Sequence, residues 1–371
     1  MSDRKYRVGI VGLRGITSAV PRPPGPTGAG LGGSGVKLGP PFDREIVVGH
    51  TACLALMDKV EVAGYCDLVP ELLDDFGNSW GRRWPDAKPY TDHKKMLAEA
   101  DLDIVTVGTS DYLHADIVVD AANGGVKAVM CEKPLATSME DANRMLKACD
   151  DNGVPLSVGH TRAWDPTLNK VRAMVRNGEI GPVGSIIATM GGPRAMLFRN
   201  GTHTLHAVVF VADSEPTHVI GLLEDGFDHW DRYRGDGGKT PEAEPAVSGI
   251  IRFANGARAY FDCTKTAIGP SKLRIAGPKG RIIIGLNDGF ATLERQDEDG
   301  NIVSRVIPPM NLGSSYQTMG YVAAYEELIS LAETGGGESN SSGRQGRHVV
   351  QIMTGFLKSH QAGSALVEVP Q

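Results

Sequence analysis

Over the first 160 positions, short and nearly continuous apolar runs alternate with longer segments of mixed pattern. The runs at 6–11, 60–66, 102–108, 126–131 and 155–159 suit strands buried on both faces. Between them, the segments at 50–58, 70–77, 92–100, 111–123 and 138–152 space their apolar positions as helices do. Strands alternating with helices of this length imply βαβ units and a parallel sheet. Beyond about residue 155 the pattern changes. A helical stretch at 166–178 gives way to strand-like runs at 183–190, 217–223, 247–254, 257–264, 272–276, 281–285 and 290–294. Turn signals such as Asn255-Gly256, Pro278-Lys279-Gly280 and Asp299-Gly300 separate many of them. This predicts a mostly antiparallel sheet with helices over one face, at 166–178, 203–212, 317–334 and 346–362. The expected fold class is therefore α/β: a doubly wound parallel sheet over 1–155, then an α+β domain over 156–371 with a large open sheet.

Two segments break the pattern. Residues 21–41 are almost all Gly, Pro and small side chains, and 335–346 reads as a flexible linker between the last two helices. Glycine makes up 47 of 371 residues, about 13% against an average near 7%. Seven of the 47 lie in the first segment and five in the second, so much of the excess is local. The net charge of −6 argues against nucleic acid, whose binders carry basic stripes. No apolar stretch of about 18 residues is present, so no membrane helix is expected. The first apolar run is too short for a signal-peptide core. The five cysteines are scattered without a CxxC pair, which suits reduced thiols in a cytoplasmic protein.

The first strand delivers Gly12-Leu13-Arg14-Gly15-Ile16. A glycine turn that opens a helix aims backbone N–H groups and the helix dipole at a phosphate. The dinucleotide fingerprint is G-x-G-x-x-G, with an acid about 20 residues on that holds the ribose. Gly12 fits the first glycine, but Arg14 stands at the second, and a plain tight turn would read similarly. Asp67 ends the second strand, where the ribose acid belongs. Its distance from Gly12 becomes reasonable if residues from about 18 to 47 are an insertion within the first crossover. An acid there favours NAD, because it would repel the 2′-phosphate of NADP. The insertion is expected to be either mobile or folded over the cofactor mouth.

The fourth strand ends in Glu132-Lys133-Pro134, a charged pair at the carboxyl end of a parallel strand, where ligands bind. The alternative is a lysine simply paired with Glu132. Here the sequence resembles the glucose–fructose oxidoreductase/inositol dehydrogenase family, Gfo/Idh/MocA. Thr109-Ser110-Asp111-Tyr112-Leu113-His114 resembles the family's TPxxxH stretch. The run from Pro155 to Trp164, Gly181-Pro182-Val183-Gly184, Pro278-Lys279-Gly280 and Val367-Glu368-Val369-Pro370 also follow the family order. The resemblance spans nearly the whole chain outside 18–47.

It implies a Rossmann-like N-terminal domain and a C-terminal domain for substrate binding and oligomerisation. It also implies NAD as cofactor, and a homodimer or homotetramer. Cofactor contacts would come from Gly12, Leu13, Arg14, Gly15, Ile16, Asp67, Leu68, Thr109, Ser110, Leu113, His114, Glu132 and Lys133. Family members place D-x-x-x-H-x-x-D on a helix lining the substrate cavity. Here His203 matches the histidine, while Arg199 and His206 replace the two acids. His203 would be the general acid/base, since an imidazole titrates near neutrality. Lys133 would be the second catalytic residue, and Arg162, Trp164, Arg199, Asn200 and His203 would meet substrate. His203 and His206 make a poor metal pair without further ligands. The expected activity is hydride transfer between nicotinamide and a secondary alcohol of a sugar, cyclitol or derivative. Two alternatives remain: a lyase or glycosidase that recycles bound NAD, and a non-catalytic nucleotide-binding relative.

Overall fold

The structure is a computed structural model that describes residues 4–18, 35–37, 45–47, 49–235, 240–269, 271–287, 289–308 and 315–371. The chain divides into two compact units. The first comprises Met1–Leu135, Asn143–Thr161 and Ser314–Gly343, the second Ala136–Ala142, Arg162–Gly313 and Arg344–Gln371.

The first unit holds a six-stranded sheet in the order β5-β4-β1-β6-β7-β8. Its strands are β1 (Tyr6–Val11), β4 (Val60–Cys66), β5 (Lys88–Tyr90), β6 (Ile104–Val107), β7 (Ala128–Cys131) and β8 (Leu156–Val158). All neighbours run parallel. β6 and β7 are buried at every position, because crossover helices cover both faces of a parallel sheet. Those helices are α1 (His50–Ala55), α2 (Pro70–Trp80), α3 (His93–Glu99), α4 (His114–Asn123) and α5 (Met139–Asn152). Local chemistry sets their starts. Pro70 opens α2 at a position where no N–H is needed, and the Asp92 carboxylate caps α3 by accepting from Lys94 N at 2.8 Å. β5, with Pro89 at its centre, is an edge strand too short to show a period.

The 18–47 insertion has a structural counterpart in how the first crossover is stitched. The amides of His50 and Thr51 donate to the carbonyls of Ile16 and Thr17, each at 3.0 Å. The Thr51 hydroxyl donates to the same Thr17 oxygen at 2.6 Å. α1 therefore takes up where the glycine turn stops, as though the intervening residues were absent. Within the segment, β2 (Gly35–Lys37) and β3 (Glu45–Val47) pair antiparallel. The expected mobility or closure of the segment falls mostly on residues outside the described ones.

Two stretches differ from the sequence expectation. The helix expected over the second sheet is α8 (Ser315–Thr334), and it belongs to the first unit. The hydroxyls of Tyr321 and Tyr325 are the reason, since both are buried there in hydrogen bonds to residues of the parallel-sheet domain. The supposed flexible linker is not one. Val158 N donates to Ser341 O at 2.8 Å, which extends the edge of β8. Ser157 Oγ donates to Ser339 Oγ at 2.6 Å, and Ser339 Oγ donates to the Glu327 carboxylate at 2.7 Å. Ser339, Ser341 and Ser342 are buried. Composition alone signals a linker, but these hydroxyls have partners, and buried polar groups that are bonded stabilise rather than loosen.

Among the described residues, the second unit holds a sheet of nine strands in the order β16-β15-β14-β13-β9-β12-β11-β10-β17. They are β9 (Ser185–Gly191), β10 (Pro216–Leu223), β11 (Val247–Phe253), β12 (Arg258–Thr264), β13 (Lys272–Gly277), β14 (Gly280–Gly285), β15 (Ala291–Gln296), β16 (Ile302–Ile307) and β17 (Val367–Glu368). Only β9 and β12 pair in parallel. β12 and β13 alternate exposed and buried positions, the mark of a sheet covered on one face. The unit's helices are α6 (Pro166–Arg176), α7 (Thr202–Ala212) and α9 (Gly343–Gln361).

The serine cluster generates a stability prediction. Glu327→Ala removes the acceptor used by Ser339 Oγ and by the Asn340 amide. The variant should lose roughly 1–3 kcal/mol, read as a lower urea midpoint at unchanged m-value. An unchanged midpoint would show that 335–342 is loosely held.

Candidate functional site

At the end of β1, Gly12 has φ +86°, and a Cβ there would lie 2.6 Å from Gly108 O. Only glycine fits. The Gly12 amide donates to Cys66 O at 2.8 Å. The Leu13 amide donates to Asp67 Oδ2 at 2.8 Å, and Asp67 Oδ1 accepts from Val69 N at 3.0 Å. Asp67 is thus oriented by two amides while each oxygen keeps a lone pair for a further donor. Gly15, at φ +58°, has no atom within 4 Å of where a Cβ would stand. The turn is tight on its inner side and open on its outer side, as a phosphate cradle must be. These residues fit a dinucleotide: the turn for the pyrophosphate, Asp67 for the ribose. Leu13 is buried, Arg14 and Gly15 are exposed, and Ile16 is half-buried. Leu68 is also exposed.

Thr109, Ser110 and Leu113 line the turn between β6 and α4, where Leu113 N donates to Ser110 O at 2.9 Å. His114 is fully buried. Its Nδ1 lies 3.0 Å from Pro134 O. A carbonyl only accepts, so Nδ1 carries the proton and Nε2 is the acceptor. Among the described residues Nε2 has no hydrogen-bond partner.

β7 is followed by Glu132-Lys133-Pro134, with a cis peptide between Lys133 and Pro134. The Glu132 carboxylate is buried and held from three directions. His50 Nε2 lies 3.0 Å from Oε1, Tyr321 OH donates to the same oxygen at 2.6 Å, and Lys133 N donates to Oε2 at 3.3 Å. His50 Nδ1 reaches Tyr325 OH at 2.8 Å, which in turn meets Thr106 Oγ1 at 2.8 Å. Burial alone would push the Glu132 pKa up. The His50 hydrogen bond and charge, the Lys133 charge and the Tyr321 hydroxyl outweigh it and hold the group at about 2. Burial and the neighbouring carboxylate push the Tyr321 phenol far above its usual value, so it stays a donor. A Cβ on residue 159 would sit 2.5 Å from Glu132 Oε1, so Gly159 makes room for the carboxylate.

His50, Tyr321, Tyr325 and Gly159 were not singled out by the sequence. Tyr321 and Tyr325 stand four apart, on one face of α8, and that spacing was the available signal. The thiols of Cys53, Cys66, Cys149 and Cys263 are pushed up to about 12, mainly by burial. They are poor nucleophiles.

In the second unit, Leu197–Gly201 forms a π-helical turn that runs into α7. Such turns recur at functional sites. Arg199 and Asn200 lie on it and His203 lies on the first turn of α7; all three are half-buried. Arg162 donates to Leu286 O at 3.1 Å and to Asn287 Oδ1 at 2.8 Å, and Trp164 is buried. The structure thus gathers Gly12–Ile16, Asp67, Thr109–His114 and Glu132–Lys133 on the first unit and the five candidate substrate residues on the second. His206 is fully buried, with Nε2 3.0 Å from Gln345 Oε1. Among the described residues no group of three or more His, Cys, Asp or Glu is arranged to hold a metal ion. Nor is any described helix long and apolar enough to cross a membrane.

Burial, reinforced by the charges of Arg172 and Arg162, lowers the His206 pKa from 6.5 to about 4. Between these values the unfolded chain binds a proton that the folded one refuses. Stability should therefore fall as pH drops from 6.5 to about 4, by on the order of 3 kcal/mol. Urea midpoints at pH 7 and pH 4.5 should converge in His206→Gln relative to the parent. An equal fall in both proteins would contradict this.

Comparison with known proteins agrees with this geometry. Residues 48–160 match the family described as an oxidoreductase family with an NAD-binding Rossmann fold, starting where the chain returns from the Gly/Pro segment. Residues 168–283 match the Gfo/Idh/MocA C-terminal domain. D-apiose dehydrogenase of Paraburkholderia graminis is 23% identical over 326 residues, 83% of each chain. Inositol 2-dehydrogenase of Rhizobium meliloti is 27% identical over 276 residues, 71% of this chain and 79% of that one. A levoglucosan dehydrogenase solved with NADH and levoglucosan superposes with a TM-score of 0.75 at 20% identity, over 99% of this chain and 100% of that one. With both characteristic domains matched in order, one on each sheet, the chain belongs to the Gfo/Idh/MocA family of oxidoreductases.

Proposed function

We propose that the protein is an NAD-dependent dehydrogenase that oxidises a secondary alcohol of a sugar, cyclitol or sugar derivative. The observation that carries this reading is the end of β7. There a lysine follows a buried carboxylate that is bonded by His50, Tyr321 and the lysine's own amide. The named relatives act on apiose, inositol and levoglucosan, all of them polyhydroxylated.

Bound NAD supplies the hydride acceptor. Lys133 hydrogen-bonds the reacting oxygen and stabilises the charge that develops on it. His203 takes the hydroxyl proton. Glu132 acts through Lys133: its fixed anion sets the path of the backbone at the lysine. Asp67 holds the adenosine ribose, and Arg162, Trp164, Arg199 and Asn200 orient the substrate. The same reading takes the protein as a cytoplasmic homodimer or homotetramer. All five cysteines are buried and outside any disulfide, which suits a reducing compartment. Leu222, Tyr260, Ile302, Val303 and Val306 leave apolar surface exposed on the strands of the second unit, and such surface marks interfaces.

The test is NADH formation at 340 nm against sugars, inositols and sugar acids, with NAD and NADP in parallel. Lys133→Ala should lower kcat by at least about 100-fold, the scale of losing one transition-state donor, with NADH affinity little changed. Turnover near that of the parent would overturn the assignment. Tightly retained NAD without net NADH production would point instead to cofactor recycling, and NAD binding without turnover to a non-catalytic relative. Separately, Asp67→Ala should weaken NAD binding about tenfold or more, the scale of losing a charged hydrogen bond, and should narrow the preference over NADP. Fluorescence titration with both reduced cofactors measures it, and an unchanged preference would remove Asp67 from the ribose site.

A further inference from the structure

A helix start leaves its first amides without intrahelical partners. Met196 precedes the π-helical turn and offers no side-chain cap. The amides are satisfied from far along the chain instead. Leu197 N donates to Pro245 O at 2.9 Å. Phe198 N and Arg199 N both donate to Glu244 Oε2, at 2.9 and 3.0 Å. Glu244 is 1% exposed, and a carboxylate that deep needs strong donors. Two amides at the positive end of a helix supply them.

The connection that delivers Glu244 is itself braced. Lys265, just past the end of β12, bonds the Glu224 carboxylate, the Pro241 carbonyl and the Glu244 carbonyl. Three acceptors satisfy an ammonium. Ala246 N donates to Glu224 Oε1 at 3.1 Å. Tyr233, from the middle of the connection, lies flat on Phe198, with ring centroids 4.0 Å apart and planes at 2°. Thus the chain between β10 and β11 grips the turn twice, by a carboxylate on its amides and by a ring on its side chain. On its far side, Asn200 Nδ2 donates to Arg194 O at 2.6 Å.

We propose that Glu244 is a positioning residue for substrate selection, fixing the turn that carries Arg199 and Asn200 and the start of the helix that carries His203. The described parts of that connection, 224–235 and 240–246, are then the specificity element of the second unit, acting from behind the residues that meet the substrate. This rests on the dehydrogenase reading, in which those three residues face the alcohol.

The test uses the full-length protein and the alcohol with the highest kcat/KM in the NADH screen. Glu244→Ala should raise KM for that alcohol at least tenfold, leave the NADH Kd within twofold, and flatten the ranking among sugars. Glu244→Gln keeps an acceptor oxygen in the same place and should recover at least a third of the lost kcat/KM. A folded Glu244→Ala protein with KM within twofold of the parent and an unaltered ranking would overturn the proposal. If Glu244→Ala does not fold, Glu244→Asp, which draws the carboxylate back by one methylene from the two amides, decides. A threefold or greater rise in KM at unchanged NADH Kd supports the proposal, and parental kinetics overturn it. Lys133→Ala separates the two levels. If it leaves turnover intact, the dehydrogenase reading fails. If it abolishes turnover while the Glu244 variants behave as the parent, only this inference fails.

Discussion

A carboxylate removed from water destabilises a fold by several kcal/mol unless its partners compensate, and the first unit is arranged around meeting that demand at Glu132. His50 comes from the helix that resumes after the Gly/Pro segment, Tyr321 from a helix 189 residues after Glu132. Gly159 stands aside, since any side chain there would occupy the carboxylate's place. The arrangement ties α1 and α8 to the carboxylate that follows β7. It also explains why α8 belongs with the parallel sheet although it lies late in the sequence: two of its hydroxyls complete a buried network, and half-completed networks are unfavourable.

The candidate chemistry divides between the units, and each unit fixes its share by the same device. In the first, an anion behind the lysine orders the strand end. In the second, an anion behind Arg199 orders a helical turn. Glu132 is 6% exposed and Glu244 1%. Glu132 accepts from a backbone amide and from buried side chains, and Glu244 Oε2 accepts from two amides, so that neighbouring side chains are presented in a fixed frame. Catalytic groups held to within fractions of an ångström need such support.

Much of this was legible in the sequence because it is local. Period-two and period-3.6 patterns located most strands and helices. The Gly12 turn, Asp67 and the Glu132-Lys133-Pro134 strand end announced themselves by their place after apolar runs. The insertion was legible as a spacing anomaly, and the His50–Ile16 hydrogen bond shows how α1 absorbs it. The rest was hidden because it is non-local. His50 and Tyr325 are 275 residues apart and Glu244 and Phe198 are 46 apart, and no local pattern links them. Ser339 and Ser341 misled for the opposite reason: their composition is that of a linker, and only the strand edge and Glu327 give their hydroxyls partners. β16 escaped notice as an edge strand exposed at five of its six positions.

In the proposed reaction, the buried network around Glu132 orders Lys133 for hydride transfer. Stopped-flow measurement of the first turnover in Tyr321→Phe tests it most directly, because this substitution removes one hydroxyl and leaves the ring. Losing a hydrogen bond to a buried charge, worth about 1.5–3 kcal/mol, predicts a hydride-transfer rate lowered by at least about tenfold, with the NADH Kd unchanged. A folded Tyr321→Phe protein that transfers hydride at the parental rate would contradict the account.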